Sequence, residues 1–239
     1  KDLTAEQILI RSGNIGSVRI AQKIGPEKFE SFLEKVGILS QITFDIDEVA
    51  PQKKYEFGKC KLATASYGHG IATTILQLAK GYAILSNGGF EIDPTLVSKN
   101  SEKNTKKNRL LNKGVSEQVV LALRKIVNTE EGTAKFANVP NYEIGGKTGT
   151  ADKVLDGVYS KGKVNTFASI FPTSKPKFVF IVMLDGPQKS KDYYYKYRHR
   201  DGGWTGTLKN SAGWTSVEVA GKVIDKIGPI LATKYIEFN

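Results

Sequence analysis

Apolar residues recur at helical spacing through the first forty positions and in three later stretches. Between about residues 142 and 184 they fall instead into short strand-like runs. Thr4 can cap a helix holding Ala5, Ile8 and Leu9. Gly13 and Gly16 interrupt the pattern, and Val18, Ala21 and Ile24 resume it. Pro26 suits a first helical turn, Phe29, Phe32, Leu33 and Val36 share a face, and Gly37 supplies a stop. The period fades from Leu39 to Gly70. Ile75, Leu78, Ala79, Tyr82 and Leu85 then predict a buried helix ended by Asn87-Gly88-Gly89. Lys99 to Arg109 carries five basic residues and one acid, the composition of a solvated loop. A helix from about Ser116 to Val127 follows, with Val120, Leu123 and Val127 on its face.

Strands are predicted over Tyr142–Ala151, Asn165–Phe171 and Lys177–Leu184, joined by hairpin-like connections. The unbroken run Phe178–Val182 implies a sheet covered on both faces. After a Tyr/Lys/Arg-rich loop at 189–200, Val217, Ala220, Ile224, Ile227 and Leu231 mark a closing amphipathic helix. Helices, then strands, then one helix predict an α+β fold, an antiparallel sheet flanked by helices on both faces; a doubly wound parallel sheet is disfavoured. No repeat or internal boundary divides residues 1–239, which read as one domain or part of one.

Composition narrows the chemistry. A single cysteine, Cys60, and two histidines, His69 and His199, leave little to hold a transition metal, so no metal or other cofactor is expected. The longest apolar run has seven residues, Phe178–Leu184, too short to span a bilayer. Lys+Arg 35 against Asp+Glu 24 gives +11, which calls for an anionic neighbour without naming it.

Two segments could carry chemistry. In Gly145-Gly146-Lys147-Thr148-Gly149-Thr150-Ala151 a lysine and two hydroxyls sit in a glycine-flanked strand, where small neighbours let a ligand approach the backbone. An ammonium with hydroxyl donors suits a carboxylate. On a regular strand Lys147 and Thr148 point to opposite faces, so their convergence on one ligand requires an irregularity or an edge position. A phosphate loop would need glycine where Asn141 stands and a helix after the lysine, where a strand is predicted. The second segment is Ser12-Gly13-Asn14, a polar triplet on a corner between apolar helices. Its structural alternative is a capping serine with a turn asparagine, and a similar triplet, Ser98-Lys99-Asn100, lies in the polar loop.

Together these segments resemble the Ser-x-Asn and Lys-Thr-Gly signatures of penicillin-binding proteins and serine β-lactamases. Gly25-Pro26, Ala63–Ile71, Gln77-Leu78-Ala79 with Tyr82-Ala83 and Asn87-Gly88-Gly89, Thr129–Ala134 and Ser211-Ala212-Gly213-Trp214 extend the likeness in order along nearly the whole chain. They are similar to class B penicillin-binding transpeptidases of the cell-division type. The resemblance implies a peptidoglycan D,D-transpeptidase that works by serine acyl transfer, is acylated by β-lactam antibiotics and needs no cofactor. Ser12 would relay protons, Asn14 would bind the acyl-donor amide, and Lys147 would hold positive charge against the terminal carboxylate. Thr148 and Thr150 would hydrogen-bond that carboxylate, with Gly149 between them, and the Thr150 N–H would form half of the oxyanion hole. Implied partners are peptidoglycan stem peptides, β-lactams and other division proteins, not nucleic acid. The implied location is the periplasmic face of the bacterial inner membrane, with the parent protein anchored by a segment upstream.

The same resemblance places a Ser-x-x-Lys nucleophile before Ser-x-Asn, and only eleven residues precede Ser12. Ser160–Lys163 and Ser174–Lys177 match the pattern but follow Lys147, in what read as polar turns, where no helix could set the lysine beside the hydroxyl. The chain is therefore expected to be the later part of a transpeptidase domain, unable to form an acyl-enzyme alone. Exposed core surface and an unpaired strand edge would then favour self-association. A β-lactamase or D,D-carboxypeptidase, or a non-catalytic peptidoglycan- or division-protein-binding module, would share the motifs. His69 in its Gly-His-Gly turn reads as shaping backbone, and Cys60 as incidental. The basic, tyrosine-rich 189–200 segment reads as a contact for substrate or partner.

Overall fold

The computed structural model describes residues 2–46, 55–97, 108–155, 158–188, 194–199, 202–207 and 210–235. The chain begins with three short helices, α1 (Ala5–Ile10), α2 (Asn14–Ile24) and α3 (Pro26–Lys35), followed by α4 (Lys59–Ala65), α5 (Ile75–Ser86) and α6 (Lys113–Asn128). Strands β1 (Gly145–Leu155), β2 (Val158–Phe171) and β3 (Phe178–Asp185) come next, then β4 (Tyr194–His199), β5 (Gly202–Thr207) and α7 (Ser216–Tyr235). Short 3₁₀ turns occupy Lys135–Ala137 and Ala212–Trp214.

Local chemistry sets the helix ends. Thr4 accepts a hydrogen bond from the Gln7 N–H at 3.2 Å while the Gln7 side chain accepts from the Thr4 N–H at 3.0 Å, a reciprocal capping box. Thr74 and Gln77 repeat it at α5. Pro26 is the first residue of α3, as expected. That helix ends with Gly37 at φ 83, whose N–H bonds the Glu34 carbonyl while the Ile38 N–H bonds that of Leu33.

Several elements differ from the sequence expectation. Gly16 does not interrupt the helical pattern but lies inside α2, where a β-carbon would come within 2.6 Å of Ile8 Cγ1; its absence lets α1 pack on α2. Helix α4 falls where periodicity fades, because Leu62 is the one large aliphatic residue among its seven. Helix α6 starts earlier than Ser116, capped by the Asn112 side chain, which accepts from the Gly114 N–H at 2.8 Å. Most of the expected polar loop, residues 98–107, lies outside the described residues, although Arg109 at its end bridges to Phe90 and stacks over that ring. Within 189–200, Tyr194–His199 is a strand paired with β5, not loop.

The sheet is antiparallel in the order β1-β2-β3, with Lys147 opposite Ala168, Thr148 opposite Phe167 and Thr150 opposite Asn165. In the central strand β2, Phe167 through Phe171 are all buried. Successive strand side chains face opposite ways, so both faces of β2 are covered. Helices α5, α6 and α7 supply the cover, as α5 and α7 pack on β2 and β3 and α6 packs on β1. Leu123, Ile126 and Val127 of α6 join Ile144, Phe167, Ile170, Phe171 and the Val217, Ala220 and Ile224 face of α7 in one core, which also takes in Ile10 of α1. The Phe178–Val182 run is only half-buried, and Met183 is 45% exposed. Among the described residues β3 has a strand partner on one side alone, which accounts for the lighter cover.

Two glycines seat β1. A β-carbon on Gly145 would lie 2.9 Å from the Arg124 nitrogen, and one on Gly146 would lie 2.6 Å from the Phe167 ring and 2.7 Å from the Ala168 carbonyl. Their bareness lets the start of β1 sit against the backbone of α6 and the Phe167 ring, fixing where Lys147 begins. Gly149 differs, since its nearest neighbour, Thr166, is 3.9 Å away. Gly146→Ala should therefore destabilise the fold by about 1–3 kcal/mol through overpacking, whereas Gly149→Ala should leave the urea midpoint nearly unchanged. Equal midpoints for the two variants would contradict this packing.

Candidate active site

The corner between α1 and α2 ends the first helix as Gly37 ends α3, but with a serine in the glycine position. The Ser12 N–H bonds the Leu9 carbonyl at 3.2 Å, the Gly13 N–H bonds that of Ile8 at 2.9 Å, and Ser12 adopts φ 54. A side chain in this left-handed region costs about 1–2 kcal/mol, which glycine would avoid. Ser12 does not cap α2, because its N-cap is Gly13, without a side-chain bond. The serine hydroxyl is turned elsewhere. Arg11, beside it, makes two hydrogen bonds to Glu131, and Lys125 of α6 pairs with Glu6 of α1. These contacts fasten the corner to α6 and to the loop that follows it.

Strand β1 brings Lys147 to the same place. Its Nζ donates to Ser12 Oγ at 2.6 Å and to the Thr148 carbonyl at 2.9 Å, joining residues 135 positions apart. No carboxylate among the described residues forms an ion pair with this ammonium. Burial disfavours the charged form and pulls the Lys147 pKa down to about 8. Lys147 is still largely protonated at pH 7, and it is short of a counter-charge. Because Ser12 Oγ accepts from the ammonium, its own proton is available to donate onward.

The hydroxyls on the other face of β1 are held from outside the strand. Thr148 Oγ1 and Thr133 Oγ1 are 2.8 Å apart, and Thr150 Oγ1 accepts from the Ala212 N–H at 2.9 Å, which leaves the Thr150 hydroxyl proton to donate. Behind Thr150, buried Asn165 donates to Asn210 and Thr215, both at 2.9 Å. Ser12, Thr148 and Thr150 line a cavity of about 490 Å3 that also includes Thr133, Phe136, Ser211 and Trp214. β1 is an outer strand of the described sheet; Lys147 does not itself line the cavity and reaches it through Ser12, whose hydroxyl it contacts.

Of the residues singled out from sequence, Ser12, Lys147, Thr148 and Thr150 come together, with Gly149 in the strand between the two threonines. Asn14, the first residue of α2, is exposed and does not line the cavity. Thr133, Phe136, Ser211 and Trp214 were not singled out. Thr133, Ser211 and Trp214 lie in segments of the resemblance, Thr129–Ala134 and Ser211–Trp214, with Phe136 just beyond the first, and the close approach of Gly213 to the Thr133 carbonyl shows that the two segments meet. Of the two Ser-x-x-Lys matches, Ser160–Lys163 lies in strand β2, not in a turn, and Ser174–Lys177 lies in the β2–β3 connection; neither is helical. A strand follows Lys147, as a phosphate loop would not allow. His69 stacks on Tyr67 between Gly68 and Gly70, both at positive φ, and Cys60 is exposed on α4.

Comparison with known proteins gives the family and the fold. Residues 1–201 match the family model of the penicillin binding protein transpeptidase domain. The chain is 30% identical over 215 residues to a peptidoglycan D,D-transpeptidase FtsI homolog of Mesostigma viride, covering 77% of this chain and 36% of that protein. It is 28% identical to a probable peptidoglycan D,D-transpeptidase FtsI of Caulobacter vibrioides, covering 97% of this chain and 39% of that one. The chain thus spans less than half the length of these curated relatives. Its fold is that of the transpeptidase domain of Burkholderia pseudomallei penicillin-binding protein 3, with TM-score 0.76 and 24% identity over 95% of this chain and 65% of that one. Penicillin-binding protein 3 of Mycobacterium tuberculosis, solved with aztreonam, gives TM-score 0.72 and 23% identity over 94% of this chain and 52% of that one. With its family model matched over most of its length, the chain belongs to the penicillin-binding protein transpeptidase domain family.

Proposed function

We propose that these residues form the carboxylate-binding and proton-relay half of a peptidoglycan D,D-transpeptidase site. The observation that carries this is the part-buried Lys147 ammonium, which has no carboxylate partner among the described residues and lies 2.6 Å from Oγ of Ser12, a residue that lines one cavity with Thr148 and Thr150. A stem peptide ending in a D-residue would place its carboxylate against Thr148 and Thr150, with Lys147 supplying the charge. The acyl carbonyl would polarise against the Thr150 N–H, an oxyanion-hole donor whose loss costs on the order of 3–4 kcal/mol in transition-state stabilisation. Ser12, accepting a hydrogen bond from Lys147, would relay to the departing amine the proton that the base takes from the attacking serine. Asn14 lies outside the cavity, and no step is assigned to it.

The attacking serine and its base would come from sequence other than these 239 residues, whose Ser-x-x-Lys matches lie on a strand and a connection. β-Lactams would enter as mimics carrying the same carboxylate. The whole protein would act at the periplasmic face of the inner membrane among other division proteins, with an upstream anchor. The free side of β3 is the surface proposed for self-association.

Three measurements test this. In calorimetry, acetyl-D-Ala-D-Ala should bind reversibly, and Lys147→Met should weaken binding roughly ten- to hundredfold. Because a carboxylate needs the protonated lysine, wild-type affinity should fall about tenfold per pH unit above about 8, until the pKa of the bound state is passed. A flat profile from pH 7 to 9.5 would remove Lys147 from the site. Intact mass after incubation with a labelled penicillin should show no stoichiometric adduct, and one would refute the missing nucleophile. Light scattering should show mass rising with concentration, and less so after Met183→Lys; a strict monomer would exclude the β3 edge as a contact.

A further inference from the structure

Asn165 of β2 has no exposed surface, yet it is a carboxamide at the head of a buried run that continues through Phe167, Ala168, Ile170 and Phe171. It stands directly opposite Thr150 in the β1–β2 register, and directly opposed residues of an antiparallel pair share a face of the sheet. Its Nδ2 uses both protons, one on Asn210 Oδ1 and one on Thr215 Oγ1, each at 2.9 Å. Its buried Oδ1 accepts no hydrogen bond among the described residues. A buried acceptor without a donor disfavours the fold, so packing alone does not account for a carboxamide here.

The two donations grip both flanks of one turn. Asn210 itself donates to the Pro187 carbonyl at 2.9 Å, which sets its amide with the oxygen toward Asn165. Thr215 Oγ1, accepting from Asn165, donates to the Ser211 carbonyl at 3.0 Å. The N–H of the same peptide unit, that of Ala212, donates to Thr150 Oγ1 at 2.9 Å. A trans peptide unit is planar, with its C=O and N–H pointing opposite ways, so fixing one end fixes the other. The line therefore runs in one sense, from Asn165 through Thr215 and the Ser211–Ala212 peptide to Thr150. It leaves the Thr150 hydroxyl an acceptor toward the turn, with its own proton free for the cavity that Thr150 and Ser211 both line. Without the Asn165 donation, the Thr215 proton could turn from the Ser211 carbonyl and release the peptide.

Resting on the carboxylate reading above, we propose that Asn165 is a positioning residue for the substrate carboxylate, holding the Ser211–Ala212 peptide in the orientation that makes Thr150 donate into the cavity. Asn165 does not line that cavity and acts only through the turn. Hydrogen bonds that run in one sense along a chain strengthen one another, and a donor oriented beforehand gives up little freedom when an anion arrives. The anchor is also well placed, because Asn165 belongs to the central strand, whereas Thr150 is exposed on an outer one.

The test is calorimetry on the 239-residue chain with acetyl-D-Ala-D-Ala, and with its C-terminal amide as the probe lacking the carboxylate. Thr150→Val should weaken binding of the acid about tenfold. Asn165→Leu and Thr215→Val, which break the line at its first and second links, should each weaken it about three- to tenfold. In the Thr150→Val background Asn165→Leu should have no further effect, because it acts through that hydroxyl. Thr215→Ser, which keeps the hydroxyl, should recover what Thr215→Val loses. In amide hydrogen exchange without ligand, Ala212 should lose protection in Asn165→Leu while Ile170 and Phe171, further along β2, keep theirs. Full affinity or unchanged Ala212 protection in Asn165→Leu, or an affinity loss that persists undiminished in the Thr150→Val background, overturns the positioning role while leaving the carboxylate site standing. Equal binding of acid and amide by the wild type, or no binding of either, overturns both. Should Asn165→Leu fail to fold, the Thr215 pair decides. Weaker binding by the valine variant alone supports the role, and equal affinity of the valine and serine variants overturns it.

Discussion

A part-buried ammonium held against a serine hydroxyl is the constraint around which the site is organised. Lowering Lys147 from 10.5 to about 8 corresponds to on the order of 3 kcal/mol against keeping it charged. Ser12, its partner, is held in a left-handed conformation that disfavours any side chain. Both members of the contact are thus in states they would not choose locally, and the rest of the fold must over-determine them. It does so by fixing the two backbones first. Helix α1 is tied through Lys125–Glu6 and Arg11–Glu131, and β1 is seated by Gly145 and Gly146, so the side chains meet because their main chains have no alternative.

The neighbouring hydroxyls follow the same logic from the other direction. Thr148 and Thr150 could rotate freely on a bare edge strand. Each is instead engaged by a segment from elsewhere, Thr133 after α6 and Ala212 before α7, and both of those helices contribute to the main core. Donors so oriented do not reorganise when an anion arrives, which is the condition for strong electrostatic recognition. The same two bonds tie the segments leading to Phe136 and Trp214 to β1.

How much of this the sequence discloses depends on the range of the forces involved. Capping boxes at Thr4 and Thr74, Pro26 at a helix start and the strand blocks are local, and they are legible as such. Helix α4 carries one large aliphatic residue, Leu62, and so registers no period, and the β4–β5 pairing lies in a segment whose charge obscures its aromatic alternation. The triplet Ser12-Gly13-Asn14 is legible as a candidate, but its physics is not. Serine reads as an N-cap there, and only the contact with a lysine 135 positions away shows it to be a helix terminator whose hydroxyl serves the sheet. Thr133 and Trp214 are marked only through the family likeness of their segments, because threonine and tryptophan of that spacing otherwise fit a turn and a core equally well.

An ammonium with no carboxylate partner among the described residues would also link ligand occupancy to stability. An anion beside Lys147 returns to the ammonium the compensation that burial took away, so the bound fold is stabilised by ligand mass action together with relief of a penalty carried when empty. The strain at Ser12 has no such release, since it belongs to the backbone of the corner and remains whatever the cavity holds. Of the two unfavourable states, one is therefore spent on each binding event and the other maintains the geometry between events. That division explains why a residue as poorly suited to its backbone as Ser12 can stand beside a lysine as poorly suited to its burial: the strain of the first keeps an acceptor waiting at 2.6 Å, and the desolvation of the second keeps a charge waiting for its partner.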